Sequence, residues 1–377
     1  MTGLVLITGG AGFIGSHLTR LASDAGYSVR VLDNLSPQVH AGSADLAPPP
    51  GVEFIKGDVT NRSDLEAAIA DVATVVHLAA ETGTGQSMYE IERYYRVNVL
   101  GTALLFDILA NDENNVRNVV LASSRSVYGE GAYLCRSCDP LGKRCFPLPR
   151  TPSQLARRDW APRCPDCGEP AECTATCESD ALRPASIYAA TKLAQEELVR
   201  VGATSLGLAH SILRFQNVFG EGQSLSNPYT GILSIFSTRI RLGLSLPIYE
   251  DGQESRDFVH VEDVTRAVLS CIQQPAQAGA TLNVGSGYPT SILKMAQLLA
   301  DFMGAEQQPH VTGAYRVGDI RHNFADLSAL KSAFGNYPTI SLEDGLERFC
   351  RWVSGQPVPP DLLEKANAEL SQRNLAG

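Results

Sequence analysis

Tyr188 and Lys192 stand one helical turn apart in Tyr188-Ala189-Ala190-Thr191-Lys192, and the two side chains can do proton chemistry together. A phenol ordinarily keeps its proton up to pH ~10, so it becomes a base near neutrality only where positive charge stabilises the phenolate. Lys192 lies on the same helical face and supplies that charge. Alone, the pair is also what any exposed helix presents. Its weight comes from the sequence before it, where Val119 to Gly129 reads as a buried strand ending in the hydroxyls of Ser123 and Ser124. Between Ser124 and Tyr188 lie seven of the nine cysteines. Cys135-x-x-Cys138 and Cys164-x-x-Cys167 are two knuckles whose four thiolates suit a tetrahedral, structural Zn²⁺ with no open position. A redox pair is the other use of Cys-x-x-Cys. Cys145, Cys173 and Cys177 are spare thiols, replacement ligands or a second site.

These groups need a scaffold, and the N-terminal residues supply one. Leu4 to Ile7 is a short apolar run suited to a buried parallel strand, Thr8 to Gly15 follows with Gly9, Gly12 and Gly15 three apart, and Ser16 to Ala25 has helical periodicity. Glycines let the backbone turn tightly and approach a pyrophosphate, which sits on the amides and positive dipole of the helix N-terminus. A second strand, Ser28 to Leu32, ends in Asp33, where a carboxylate meets the adenosine ribose hydroxyls. That charge repels a 2′-phosphate and no arginine follows immediately, so NAD is expected rather than NADP. Val52 to Val59 and Val75 to Ala80 read as the third and fourth strands, with Asp58 and Val59 near adenine and Leu78, Ala79 and Ala80 near the nicotinamide ribose. His77 lies inside the fourth apolar strand and reads as structural.

With 377 residues and ordinary globular composition, the chain can bury a full α/β core. A net charge of -10 without a basic block argues against a nucleic-acid surface. No apolar run reaches membrane-spanning length, and Met1-Thr2-Gly3 leads straight into a strand, so a cytoplasmic protein is expected. In that reducing setting clustered cysteines favour metal over disulfides.

The loop Thr8 to Gly15, His77-Leu78-Ala79-Ala80, Asn98, Ser123 to Gly129 and the Tyr188 to Lys192 motif together resemble the extended short-chain dehydrogenase/reductase superfamily, in its nucleotide-sugar epimerase and dehydratase branch. The resemblance runs from residue 2 to about 350, apart from the cysteine segment. It implies a Rossmann-like doubly wound parallel sheet, a smaller C-terminal substrate domain and tightly bound NAD. It also implies that Phe13, Ile14, Asn34 and Asn98 join the cofactor site with Tyr188 and Lys192, and that Ser124 hydrogen-bonds the reacting sugar oxygen. Gln216 and Asn217 would approach a nucleotide-diphosphate sugar, Arg256 and Arg316 its phosphates, and Asp319 its ribose. Arg321 and Arg348 read as surface ion pairs.

Sugar 4,6-dehydratases of this branch carry Asp-Glu after the catalytic hydroxyl residue, where this chain has Arg125 and Ser126. Without that acid and base, removal and return of a C4 hydride remains, which is 4-epimerisation. The run Gln216 to Leu233 and the cysteine segment resemble the members that interconvert dTDP-L-rhamnose and dTDP-6-deoxy-L-talose. UDP-hexose and UDP-uronate epimerases share the catalytic set, and a net oxidoreductase or a non-catalytic NAD-binding scaffold are the readings from other classes.

Sixty positions separate Tyr128 from Tyr188, so the cysteines belong to a zinc-ribbon-like insertion. The expected organisation is an NAD-binding domain over 1–213 containing the insertion 135–178, with 257–274 returning to it. A substrate domain over 214–355 and a tail over 356–377, surface-packed or frayed, complete it. Helices over Arg96 to Leu109 and Tyr188 to Val201 imply, by resemblance, a homodimer.

Overall fold

The computed structural model describes residues 3–40, 48–227, 231–277, 279–373 and 375–377. Its main sheet has seven parallel strands in the order Ala280–Val284, Ala209–Phe215, Asn118–Ser124, Val72–His77, Leu4–Thr8, Val29–Asp33 and Glu53–Lys56. Helices cover both faces, which explains why the central strands read as nearly continuous apolar runs: Val119, Val120 and Leu121 are at most 1% exposed. One core cluster runs from Val5, Ile7 and Leu18 to Val264, and the other from Leu6, Leu65 and Val75 to Leu105 and Val199. Strand order reverses beside Leu4–Thr8, and such a switch point opens a crevice at the carboxyl ends of the strands. This is the doubly wound architecture expected from the sequence.

The helix Phe13–Asp24 starts from Gly12, and Gly9 holds φ +70. A Cβ on Gly15 would lie 2.2 Å from the Gly9 carbonyl oxygen, so only glycine lets this helix enter so close to the first strand. One expected helix differs. Its Tyr95–Leu100 part is π-helical before Gly101–Asn111 becomes α-helical. Inside the widened turn, the fully buried Asn98 accepts from the Glu81 amide at 2.8 Å and donates to the Glu81 carbonyl and Thr191 Oγ1.

After Phe215 the chain builds a second layer with its own core, centred on Phe219, Phe236, Met295, Leu346 and Phe349. Here Ser255–His260 pairs with Asn217–Phe219, Pro289–Ser291 and His322–Asn323. Ala280–Val284, from within the same stretch of sequence, joins the edge of the main sheet.

The cysteine segment forms an antiparallel sheet of Lys143–Cys145, Tyr133–Cys135 and Glu172–Cys173. A buried ion network ties it to the second layer. Arg150, 5% exposed, donates to Glu250 at 2.8 Å and to the Asp319 carbonyl at 2.9 Å, while the Arg321 amide donates to Glu130. Arg321 also pairs with Glu250 and Asp251 and is 6% exposed, which corrects its reading as a surface pair. It is drawn inside by carboxylates of the second layer itself, Glu250 with Asp251, and it shares Glu250 with Arg150 of the insertion. Arg348 does form half-exposed pairs with Glu221 and Glu262.

Candidate active site and cysteine centre

A cavity of about 470 Å³ lies along the carboxyl ends of the central strands. Gly9, Gly12, Phe13, Ile14 and Gly15 line one end, with Asp33, Asn34, Val59, Leu78, Ala79 and Ala80; Ser124, Tyr188, Lys192, Gln216 and Asn217 line the other. Two separate stretches of sequence chemistry thus share one space. Asp58 stands just behind it, held by Asn34 Nδ2 at 2.9 Å, and Asn98 braces the wall without lining the cavity.

The cofactor end fits a dinucleotide on several counts. Any side chain at Gly9 or Gly15 would collide with backbone, so the cradle stays open to a phosphate. Asp33 accepts from the Ala11 amide at 3.0 Å and the Leu35 amide at 2.9 Å. Burial works against its ionisation, but His40 and these amides outweigh that, and its carboxyl sits below the usual range. It is therefore an anion ready to accept ribose hydroxyls.

Ser124 ends its strand, and its hydroxyl caps the short 3₁₀ turn Arg125–Tyr128 by accepting from the Ser126 amide at 3.1 Å. Tyr188 opens the helix Ile187–Ser205, whose N-cap Ser186 accepts from the Ala189 amide. Burial pushes the Tyr188 phenol up, against a hydrogen bond with Ser124 and the nearby Arg125 charge. Lys192 is 3% exposed and donates to the Ala122 carbonyl at 2.8 Å, and burial lowers it to about 7, against the pull of Glu196. A second cation stands beside the phenol: Arg125, which the sequence marked only by the carboxylate it replaces. Arg125 is itself lowered to about 9 by burial and by Arg256.

On the opposite wall Gln216 has buried side-chain nitrogen and oxygen atoms without a hydrogen-bond partner, as have the oxygens of Asn217 and Gln223. Unpaired buried polar atoms facing a cavity are costly unless a ligand completes them. Gln223 has no motif and was missed from sequence. The structure does not bring Arg256 into this cavity: its guanidinium donates to the Ser255, Ile320 and Arg321 carbonyls. Arg316 and Asp319 line a smaller cavity of about 50 Å³ next door, with Thr84 shared between the two. Pro228, Tyr229 and Thr230, part of the run used to read the sugar, lie outside the described residues.

His77 is 1% exposed, pairing through Nδ1 with Thr8 at 2.8 Å and through Nε2 with Thr102 at 3.0 Å. Burial, with Lys192 nearby, lowers it to about 3, so it is a neutral structural ring as read.

Cys135, Cys138, Cys164 and Cys167 converge with all four sulfurs within 4.8 Å of one another. The Cys135–Cys167 separation is 3.5 Å and Cys138–Cys164 is 3.8 Å. Disulfide sulfurs stand at about 2.0 Å, whereas a tetrahedron with Zn–S near 2.3 Å has edges of about 3.8 Å. The donor set and its spacing therefore fit a tetrahedral metal. Gly168, at φ +79, donates to the Cys164 carbonyl and turns the second knuckle. Cys145 is buried beside Cys164 outside the group of four, Cys173 lies on the neighbouring strand, and Cys177 contacts Arg144 and Ser179. None of residues 129–187 lines the large cavity, so the insertion packs beside it rather than over it.

The family model described as the NAD dependent epimerase/dehydratase family matches residues 5–150 and 164–285. A dTDP-L-rhamnose 4-epimerase of Burkholderia thailandensis is 41% identical over 361 residues, 93% of this chain and 94% of that protein. A UDP-N-acetylglucosamine 4-epimerase from Methanobrevibacter ruminantium M1, solved with UDP-N-acetylmuramic acid, superposes with a TM-score of 0.75 at 28% identity, over 94% of this chain and 99% of that one. The NAD complex of Thermus thermophilus UDP-glucose 4-epimerase gives 0.71 at 26% identity, over 94% and 100%. A glycine cradle, a ribose-seeking carboxylate and a Ser-Tyr-Lys set in one cavity accord with these matches, and the chain belongs to the NAD dependent epimerase/dehydratase family, as an enzyme of its epimerase branch.

Proposed function

We propose that the protein is a nucleotide-sugar 4-epimerase that interconverts dTDP-L-rhamnose and dTDP-6-deoxy-L-talose. The observation that carries the reaction class is the convergence of Ser124, Tyr188 and Lys192 on the cavity of the glycine loop, with Arg125 and Ser126 where a dehydratase needs carboxylates. The sugar rests on the 41% identical Burkholderia relative. NAD, which Gly12 to Gly15, Asp33, Tyr188 and Lys192 would hold, would supply the acceptor and donor of the C4 hydride. Tyr188 takes the C4 hydroxyl proton as that hydride leaves. Ser124 holds the sugar oxygen, and Lys192 and Arg125 stabilise the phenolate. Once the 4-keto sugar has turned its other face, Tyr188 returns the proton. The net redox change is zero.

The four cysteines hold a structural Zn²⁺, and the protein is a cytoplasmic homodimer. Arg125 favours one second reading, a UDP-uronate 4-epimerase, because a cation lining the sugar cavity suits a carboxylate on C5. Incubation with dTDP-L-rhamnose, dTDP-6-deoxy-L-talose and UDP-glucuronate, followed by NMR of the sugar protons, separates the two. Inversion at C4 of the deoxysugar is expected without net NADH formation, with kcat lowered ~10³-fold in Tyr188→Phe. Turnover of the uronate alone overturns the sugar assignment, and turnover of neither those nor any UDP-hexose overturns the reaction class.

A further inference from the structure

The tail is neither frayed nor a bystander. After Asp361, which pairs with Arg239, it forms the helix Leu363–Ser371, with Ala366 2% and Leu370 5% exposed. The helix lies across two parts of the molecule far apart in sequence. On one side Tyr89 donates to Glu369 at 3.0 Å, Arg373 stacks on the Tyr89 ring, and Leu370 covers Gly85. On the other, Asn367 Oδ1 accepts from Tyr249 at 2.8 Å and from Arg316 at 2.9 Å. The chain then returns beside 315–317, where Leu375 accepts from the Val317 amide at 2.9 Å and Gly377 exchanges hydrogen bonds with Tyr315.

These contacts enclose the small cavity. Ala366, Leu370 and Leu375 line it together with Arg316, Asp319 and Ser186, the N-cap of the Tyr188 helix. Its volume of about 50 Å³ holds a water or two, whereas drug-sized ligands need several hundred. Arg316 is the cation there. It rests on the Tyr249 ring, gives one nitrogen to Asn367, and keeps a buried Nε without a partner. A guanidinium with an unspent donor, on the wall next to the catalytic helix, is built for an oxyanion.

We infer that the C-terminal segment 361–377 is a wall of the substrate site, closing over the diphosphate end of the nucleotide sugar, with Asn367 as the positioning residue that aims Arg316. This inference rests on the nucleotide-sugar reading above. The segment must shift outward to admit the nucleoside diphosphate and then reclose, because the cavity as it stands cannot contain one. Arg316 keeps its bond to Asn367 while its free Nε meets a phosphate oxygen, so ligand and tail report on each other.

The experiment compares wild type, Asn367→Ala and a chain ending at Pro360, each as NAD-loaded protein. Three readouts are taken: bound NAD, calorimetric Kd for dTDP and UDP, and kcat and KM with the sugar found active. The expected result is a Kd and KM raised 5- to 20-fold in both variants, with the loss in kcat/KM carried by KM and NAD content unaltered. A nucleoside diphosphate should also slow protease cleavage within 361–377 in wild type. Variants that bind and turn over like wild type overturn the wall while leaving the epimerase reading intact. Wild type that binds no nucleoside diphosphate overturns both. Should the shortened chain fail to fold, Asn367→Ala and the protection assay decide.

Discussion

His77 shows how burial assigns a role to one side chain. The ring sits between two threonine hydroxyls and is 1% exposed, so its neutral form is the one the fold accepts. Its folded pKa lies below the unfolded value of ~6.5, so the unfolded chain takes the proton first. The stabilisation is complete above pH ~6.5 and drains away as the pH falls toward 3. His77→Gln should therefore cost ~1–2 kcal/mol at pH 8, from two lost hydrogen bonds, with the gap to wild type narrowing by pH 5. Urea titrations at both pH values read this directly, and a kcat far below wild type would contradict its structural role. The same local logic made the glycines, Asp33 and Tyr188 legible in sequence, since each acts through neighbours within a turn or a strand. Arg125 was not legible as a cation for the phenol, because its effect on Tyr188 depends on a fold that brings residues 63 positions apart together.

At the level of elements, the convergence of the four cysteines was legible and the insertion's part as a brace was not. Two Cys-x-x-Cys knuckles are a local pattern. The Arg150–Glu250 ion pair and the bond from the Arg321 amide to the Glu130 carboxylate join distant parts of the chain, and no periodicity announces them. Glu250 even takes φ +49 to present its carboxylate to two arginines. Losing one member of such a buried set leaves the others charged and unpaired. Replacing Cys164 and Cys167 by serine should therefore do two things at once. Bound zinc, one per chain by mass spectrometry of the metal, should vanish, and KM for the nucleotide sugar should rise several-fold as the Asp319 loop loses Arg150. Full metal occupancy in the variant would refute the ligand set; unchanged KM after zinc loss would uncouple the brace from the site. The π-helical turn at Asn98 was hidden for a related reason, since its cause lies 17 residues upstream at Glu81.

For the whole molecule, the exposed apolar side chains point to association. Ile91, Tyr95 and Leu100 on one helical stretch and Val201 on the Tyr188 helix are 42–56% exposed, an arrangement that a second copy would cover. Light scattering should give twice the 40.4 kDa chain mass, and Leu100→Asp with Val201→Asp should halve it. A wild-type monomer at micromolar concentration would refute the homodimer. Described helices include none long and apolar enough to cross a membrane.

The insertion leaves and rejoins the body through a narrow neck. The Thr174 amide donates to the Ala132 carbonyl and the Ala132 amide to the Thr176 hydroxyl, both at 3.0 Å. A short turn from Ala132 to Thr174 would therefore excise the cysteine ribbon as a cassette, taking Arg150 with it and leaving the Glu250–Arg321 pair behind. Transplanting it into a relative is a stricter exercise, because a graft that carries Arg150 into a host without Glu250 and Arg321 would bring a buried charge with nothing to meet it.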